Sequence, residues 1–193
     1  LLEVLAIAIV ADLVPLKEEN RYLLQRGLAS LSSPDWPGIK ALCEVCDLDP
    51  FTLTAEDIGF QLAPRLNAAG RIASGREAVK LLLAGGLEKA RRRARKLDQI
   101  NGQRKEISRQ LEEQAQAKLG EVDLDRPIIL YDEDWHEGIL GIVAGRLTEK
   151  FNLPALLMTE KEEAGVVTGS ARSIEGISIY QALKPCSDLL LTF

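Results

Sequence analysis

The sequence lacks the marks of a membrane protein, of a disulfide-rich secreted domain and of a protein that coats nucleic acid. No apolar run reaches the roughly 18 residues that a membrane-spanning helix needs. Three cysteines among 193 residues are an odd number, and so few suit a reducing compartment better than a disulfide framework. The formal net charge of −5 argues against indiscriminate binding to nucleic acid. We therefore expect a cytoplasmic globular protein that makes no membrane contact.

The sequence is also short of the residues that hold transition metals. His136 is its only histidine, and a lone histidine does not make a metal site. Cys43 and Cys46 have C-x-x-C spacing, but no second pair follows to complete a zinc site. The helical spacing of Ile39, Leu42 and the two cysteines indicates small core residues instead.

The two ends of the sequence indicate a fragment of a longer protein. The chain begins Leu1-Leu2-Glu3, without an initiator methionine, and it stops in the apolar segment Leu189–Phe193. Its 193 residues give room for one large domain or two small ones.

Hydrophobic periodicity predicts short helices in the first part of the chain and one long helix after them. Thr54 and Asp57 have the spacing of an N-cap and a capping-box acid, opening a helix that carries Phe60 among its apolar positions. Residues 87–119 contain no proline and a single glycine, and their apolar residues form a narrow helical stripe. We interpret this segment as a helix that connects two lobes.

The pattern changes after the long helix. Pro127–Tyr131 and Pro154–Met158 read as strands, and Gly138–Phe151 between them reads as a helix. This order predicts a parallel βαβ unit with a right-handed crossover. A third strand is predicted at 164–171 and a further helix at Ser178–Leu183. The fold class that we expect is therefore α/β.

The segment Pro64–Arg71 is the first candidate binding site. Arg65 and Arg71 flank small residues and Asn67, and arginine presents a planar fork of donors that fits a phosphate. The segment predicts an anion-binding turn between two helices. The alternative is a helix–loop–helix corner whose arginines simply face water.

Asp12 is a candidate metal ligand, because it interrupts an apolar run. A buried carboxylate must be paired, hydrogen-bonded or bound to a metal, and aspartate oxygens suit Mg²⁺ or Mn²⁺. The alternatives are that Asp12 caps a helix N-terminus or pairs with Arg21.

Two further segments carry polar residues next to predicted strands. Ser170 and Arg172 end the third strand, where a hydroxyl, a guanidinium and backbone N–H groups suit a phosphate oxygen. The alternative is an ordinary strand end with a surface arginine. His136 begins a predicted helix, a position that favours a structural role, and Gly138 and Gly141 permit close packing or the approach of a ligand.

Positive charge is concentrated in the long helix. Eight basic residues occur there within a short distance: Lys89, Arg91, Arg92, Arg93, Arg95, Lys96, Arg104 and Lys105. They could line the path of a nucleic acid. The alternative is a solvated helix face that Glu88, Asp98 and Glu106 balance.

Four segments in this order resemble one enzyme family. Ala11–Leu16, Pro64–Arg71, Trp135–Gly141 and Gly169–Ser173 together resemble the single-strand-specific 5′→3′ DNA exonucleases of the DHH phosphoesterase superfamily. Each segment alone is weakly specific, but the four in order span most of the chain.

The resemblance implies a division of the chain and an architecture. Residues 1–86 would be the C-terminal part of a DHH catalytic domain, 87–119 the connector helix, and 120–193 a truncated DHH-associated nucleic-acid-binding domain with a mixed sheet. The Asp-His-His triplet that names the superfamily does not occur in this sequence. The resemblance therefore implies that most metal ligands lie outside the chain, and that the fragment alone is inactive.

The resemblance also implies roles for individual residues. Asp12 would coordinate the divalent metal pair, Mn²⁺ or Mg²⁺, and take part in catalysis. Arg65, Asn67 and Arg71 would contact the strand near the scissile bond and its 5′ end.

In the accessory domain, Ser170 and Arg172 would bind the terminal 5′ phosphate. His136 would be a structural or DNA-contacting residue.

The activity implied is metal-dependent hydrolysis of single-stranded DNA from its 5′ end, in DNA recombination and repair. Single-stranded DNA would be the partner, single-strand-binding protein is a candidate protein partner, and we expect a monomer. Two alternatives stay open: a DHH-family phosphodiesterase for very short oligonucleotides, and a non-catalytic scaffold that binds single-stranded DNA. The accessory domain of alanyl-tRNA synthetases would leave Leu1–Arg71 without a counterpart.

Overall fold

The computed structural model describes residues 1–121, 123, 125–161 and 165–192. The chain forms two compact units, Leu1–Arg104 and Lys105–Phe193. One long helix, α7 (Leu87–Leu119), begins in the first unit and ends in the second, over the residues that the sequence pattern predicted. None of the described helices combines the length and the apolar character that crossing a membrane requires.

The first unit is built from helices, as the periodicity predicted. It contains α1 (Leu2–Ala11), α2 (Glu18–Leu31), α3 (Pro37–Val45), α4 (Ala55–Asp57), α5 (Ala63–Ile72), α6 (Arg76–Leu82) and the first part of α7, with a 3₁₀ turn at Pro50–Thr52 and a π-helical segment at Ile58–Leu62.

The core of the first unit is aliphatic. Its fully buried side chains come from helices of this unit and from the π-helical segment, and they include Leu31, Ile39, Leu42, Ile58, Leu62, Leu81 and Leu97. Cys43 and Cys46 belong to the same core, and burial raises the pKa of the Cys43 thiol to about 12. The prediction that both cysteines are core residues is confirmed.

The second unit holds a small mixed sheet. Its elements are β1 (Ile128–Tyr131), α8 (Glu137–Phe151), β2 (Ala155–Glu160), β3 (Val167–Arg172), α9 (Ile179–Leu183) and a 3₁₀ turn at Lys184–Leu189, together with the second part of α7. The third strand was predicted to begin at Ala164, which lies outside the described residues.

Strand pairing confirms the predicted βαβ unit and extends it. β1 and β2 are parallel with Ile128 opposite Ala155, and β3 is antiparallel to β2 with Arg172 opposite that same alanine. The described strands thus form one sheet in the order β1-β2-β3. The α/β class with a mixed sheet is confirmed.

Helix α8 covers one face of this sheet with buried aliphatic residues, among them Ile139, Val143 and Leu147. Its other side is tied to α7, because Arg146 pairs with Glu112 at 2.7 Å. The buried aliphatic residues and the Arg146–Glu112 ion pair together fix the position of α8 on the strands.

Candidate nucleic-acid interface

Asp12 lies at the C-terminal end of α1 and is exposed to solvent. The prediction that it is a buried carboxylate is wrong, because α1 ends at Ala11 and the chain turns away from the core there. Asp12 caps the C-terminus of a helix and not an N-terminus. Among the described residues, neither Arg21 nor any other side chain forms an ion pair or a hydrogen bond with its carboxylate.

The turn after Asp12 is strained. Leu13 has a φ of 53° and is 87% exposed, a left-handed conformation that costs a non-glycine residue about 1–3 kcal/mol. Backbone hydrogen bonds hold the turn, with the Leu13 N–H donating to the Val10 carbonyl at 3.1 Å. The turn keeps the Asp12 carboxylate at the surface.

Asp12 alone does not make a metal site. Within the described part of the chain, no group of three or more His, Cys, Asp or Glu side chains could hold an ion. Mg²⁺ and Mn²⁺ need several oxygen ligands. To hold such an ion, Asp12 would therefore need further ligands beyond the described residues.

The segment Pro64–Arg71 is helical, and the predicted anion-binding turn is wrong. Thr54 and Asp57 form the predicted capping box, and from there the chain stays helical through α4, the π-helical segment and α5. The proline ring would collide with the carbonyl of residue 60 in a regular α-helix. The wider π-helical turn, which ends two residues before Pro64, lets the helix continue.

The helix separates the two arginines that the sequence placed together. Arg65 is turned toward α7, where its Nε donates to Asp98 at 2.8 Å and its Nη1 to the Gln61 carbonyl at 2.9 Å. Its side chain is only 16% exposed. Arg71 is exposed, so Arg65 already has a structural role while Arg71 is open to a ligand.

Asn67 and Arg71 lie on one exposed face of α5 because they are one turn apart. A side chain built on Gly70 between them would meet nothing within 4 Å. Among the described residues, the side chains of Asn67 and Arg71 have no hydrogen-bond partner. The exposed face of α5 thus keeps two polar groups available.

Acidic residues of the first unit neutralise part of the basic run. Arg91 forms a bidentate pair with Glu44 at 2.7 and 2.8 Å and also contacts Glu88 at 2.8 Å. Lys96 pairs with Glu77 at 2.8 Å. The remaining cations of the run are only partly balanced, since Lys89, Arg92 and Arg93 form no ion pair within the described residues.

Glu77 is expected to make the stability of the first unit depend on pH. It bridges Lys80 and Lys96, and these hydrogen bonds lower the pKa of its carboxyl from 4.5 to about 2. A carboxyl whose pKa is lower in the folded than in the unfolded state stabilises the fold fully at pH values above its unfolded-state pKa. This contribution is lost as pH falls through the folded-state pKa of about 2. In urea titrations from about pH 5 to about pH 2, Glu77→Gln should lose stability less steeply than wild type. Glu19→Gln, on an exposed site, should follow wild type, and parallel curves for all three proteins would contradict the assignment.

The second unit brings Ser170 and Arg172 together at Gly141. The two residues alternate on one face of β3, the face toward α8. A Cβ atom on Gly141 would lie 2.8 Å from Ser170 Oγ and 3.2 Å from Arg172 Nη2. The hydroxyl and the guanidinium therefore meet over the bare backbone of this glycine.

The start of α8 is fixed by hydrogen bonds around His136. His136 is the N-cap residue, and its Nδ1 accepts from the Gly138 N–H at 3.1 Å. The preceding Trp135 is buried, its Nε1 donates to Gln114 Oε1 at 2.9 Å, and its carbonyl accepts from Thr159 Oγ1 at 2.7 Å. His136 thus has a structural role in the described chain.

Two residues of interest were not assigned from the sequence. Gly141 was noted for close packing or the approach of a ligand, but its contact with Ser170 and Arg172 could not be foreseen because it depends on how α8 sits on β3. Phe60 was counted among the apolar positions of its helix, yet it is 79% exposed. The sequence signal that could have pointed to an unusual environment for Phe60 was its position four residues before Pro64.

Comparison with known proteins gives the chain a family context. Residues 125–190 match the model of the DHHA1 domain. The chain is 38% identical over 194 residues to the single-stranded-DNA-specific exonuclease RecJ of Bacillus subtilis, covering 100% of this chain and 25% of that protein.

Solved structures agree with this similarity. RecJ from Thermus thermophilus in complex with Mg²⁺ superposes with a TM-score of 0.87 at 31% identity, over 99% of this chain and 30% of that one. The same protein in complex with Mn²⁺ gives 0.86 at 31% identity, over 99% and 28%. The chain therefore spans less than a third of the length of each of these relatives.

Proposed function

We propose that this chain, which corresponds over its whole length to one segment of the RecJ exonucleases and carries a DHHA1 domain, is part of an enzyme that hydrolyses single-stranded DNA from its 5′ end. The observation that carries the proposal is Asp12, an exposed carboxylate without a partner among the described residues, next to a strained turn. Strained backbone of this kind clusters at functional sites, which supports the proposal.

The metal in this proposal is Mn²⁺ or Mg²⁺. Asp12 would supply one carboxylate, and segments outside this chain would supply the other ligands. When bound, such ions would supply an activated water and charge stabilisation for the hydrolysis of a phosphodiester. The chain alone would then be inactive, because its described residues bring one ligand and no complete site.

In the second unit, Ser170 and Arg172 would bind the terminal 5′ phosphate. A guanidinium presents a bidentate donor to phosphate oxygens, and a hydroxyl adds a third donor. Both groups lie at Gly141, where the absence of a side chain on the helix lets them come together. A pocket for a charged end gives the enzyme its 5′ polarity without any base being read.

In the first unit, Asn67 and Arg71 would contact the backbone of the strand. Both are exposed on one face of α5. Arg65 would act through its pair with Asp98, by holding α5 on α7. We place such an enzyme in DNA repair and recombination in the cytoplasm, as a monomer, with single-strand-binding protein as a candidate partner.

Nuclease assays of the full-length protein test this function. With Mn²⁺ or Mg²⁺ and 5′-phosphorylated DNA, we expect single strands to shorten from the 5′ end while blunt duplex stays intact, and chelation should stop the reaction. Strands labelled at either end report the direction. Tight binding without cutting in any metal would support the scaffold alternative, and cutting confined to very short oligonucleotides would support the phosphodiesterase alternative.

A further inference from the structure

Phe60 is exposed in a helix whose neighbouring apolar residues are buried. Its side chain is 79% exposed, whereas Ile58 and Leu62 on either side are completely buried. A single exposed aromatic is common on protein surfaces. This one differs because of the backbone that carries it and the residues that share its face.

The backbone around Phe60 is π-helical. The π-helical segment runs from Ile58 to Leu62, and such single turns occur frequently at functional sites. The segment ends two residues before Pro64, whose ring would otherwise meet the carbonyl of Phe60. The irregular turn and the exposed ring thus occur at the same position.

Phe60 shares a face with the polar residues of α5. Pro64, Asn67 and Arg71 follow it at four, seven and eleven residues, the spacing that places side chains on one side of a helix. At about 1.5 Å per residue the face is roughly 16 Å long from Phe60 to Arg71. It therefore presents an aromatic ring at one end, an amide in the middle and a cation at the other end.

This face begins beside the helix that carries Asp12. A Cβ atom on Gly59 would lie 3.4 Å from Val10 Cγ1, so the residue before Phe60 packs against α1 one turn or less from its end. The backbone just before Phe60 is thus packed on the helix that Asp12 ends, within the same unit.

We propose that Phe60 stacks on a base of the single strand, while Asn67 and Arg71 contact its phosphates. The proposal rests on the function proposed above and adds a residue that positions the strand. Single-stranded DNA suits this face, because an aromatic ring accepts any base and a nearby guanidinium accepts phosphate, without base readout. An apolar protein surface would leave the guanidinium and the amide without partners.

Binding of single-stranded DNA to the full-length protein in chelator tests the proposal. Fluorescence anisotropy of a labelled strand gives Kd for Phe60→Leu, which keeps apolar volume but loses the ring, and for Phe60→Trp, which keeps a ring. We expect Kd to rise about fivefold or more for the leucine variant and to stay near the wild-type value for tryptophan. Phe51→Leu is the matched control, since Phe51 is 78% exposed in the same unit but lies on the 3₁₀ turn.

Abasic strands distinguish stacking from a general loss of affinity. A series of strands, each with one abasic nucleotide at a different position, is compared for both proteins. At one position the missing base should raise the Kd of wild type, whereas the Kd of Phe60→Leu should not rise further. 2-Aminopurine at that position should be quenched by wild type and less by the leucine variant.

The possible results distinguish a failure of the stacking proposal from a failure of the proposed exonuclease function. If wild type binds and cuts the strand but Phe60→Leu has the same Kd as Phe51→Leu, the stacking proposal is overturned and the function stands. If Phe60→Leu instead lowers the melting temperature with Kd unchanged, another part of the full-length protein covers the ring and stacking is again overturned. If wild type neither binds nor cuts single strands, the function itself fails.

Discussion

Asp12→Asn is expected to abolish cutting in the full-length protein without harming its fold. Losing one carboxylate of a metal site removes several kcal/mol of transition-state stabilisation, so the rate should fall on the order of a thousandfold or more. The affinity for Mn²⁺, measured by calorimetry without DNA, should fall with it. Asp35→Asn is the control, because Asp35 is exposed in the same unit and the structure gives only its backbone N–H a partner, Glu3 Oε1 at 3.1 Å.

Stability provides an independent readout for the same variant. A negative charge at the C-terminus of a helix opposes the helix dipole, which costs about 0.3–1 kcal/mol, and Asp12 stands at the end of α1. In chelator, Asp12→Asn should therefore unfold at the same urea concentration as wild type or at a slightly higher one. A structural role predicts the reverse, a loss of stability together with a modest loss of activity. That combination would contradict the assignment.

The elements of the fold were largely predictable because they depend on local pattern. The capping box at Thr54 and Asp57, the uninterrupted helix over Leu87–Leu119 and the strand–helix–strand order after it all follow from residues close in sequence. Cys43 and Cys46 were placed in the core by helical spacing alone, and the structure buries both.

The errors arose where tertiary packing or irregular backbone decides. Small residues and a proline in Pro64–Arg71 are typical of a turn, but the π-helical segment before them lets the helix continue. Asp12 interrupts an apolar run, but helix α1 ends at Ala11, one residue before it. Periodicity identifies the apolar face of a helix with more certainty than the residue at which the helix stops.

The candidate site depends most on tertiary packing, because its groups come from separate elements. Ser170 and Arg172 were candidates by residue type, yet only the packing of α8 on β3 shows that both touch Gly141. Likewise, the ion pair between Arg65 and Asp98 joins residues 33 positions apart, and the sequence pattern does not predict this contact.

Gly141→Ala is expected to remove the preference for a 5′ phosphate while preserving the fold. The added methyl carbon would lie 2.8 Å from Ser170 Oγ and 3.2 Å from Arg172 Nη2, so both groups must move away. These atoms are the ends of flexible side chains, and moving them costs little. Alanine is also favoured over glycine in a helix by up to about 1 kcal/mol. The melting temperature should therefore stay equal or rise.

The loss of this preference should appear when DNA strands with a 5′ phosphate are compared with strands that end in a 5′ hydroxyl. Hydrogen bonds to a charged group contribute about 1.5–3 kcal/mol, so kcat/KM on 5′-phosphorylated strands should fall roughly ten- to a hundredfold, while 5′-hydroxyl strands are cut as by wild type. Arg172→Ala should behave in the same way.

Gly145→Ala is the matched control because it lies one turn further along α8. There the new methyl would meet only Arg172 Cγ at 3.9 Å, an ordinary contact, and the gain in helix propensity is the same. We expect both alanine variants to be equally stable and only Gly141→Ala to lose the distinction between phosphorylated and unphosphorylated ends. The readout is kcat/KM on 5′-phosphorylated strands divided by kcat/KM on 5′-hydroxyl strands. If this ratio is the same in the two variants, the position over Gly141 is not the phosphate site, whatever role Ser170 and Arg172 have. A selective loss would locate the end pocket at this glycine, because helix propensity and expected stability are matched between the two variants and only the crowding of Ser170 and Arg172 differs.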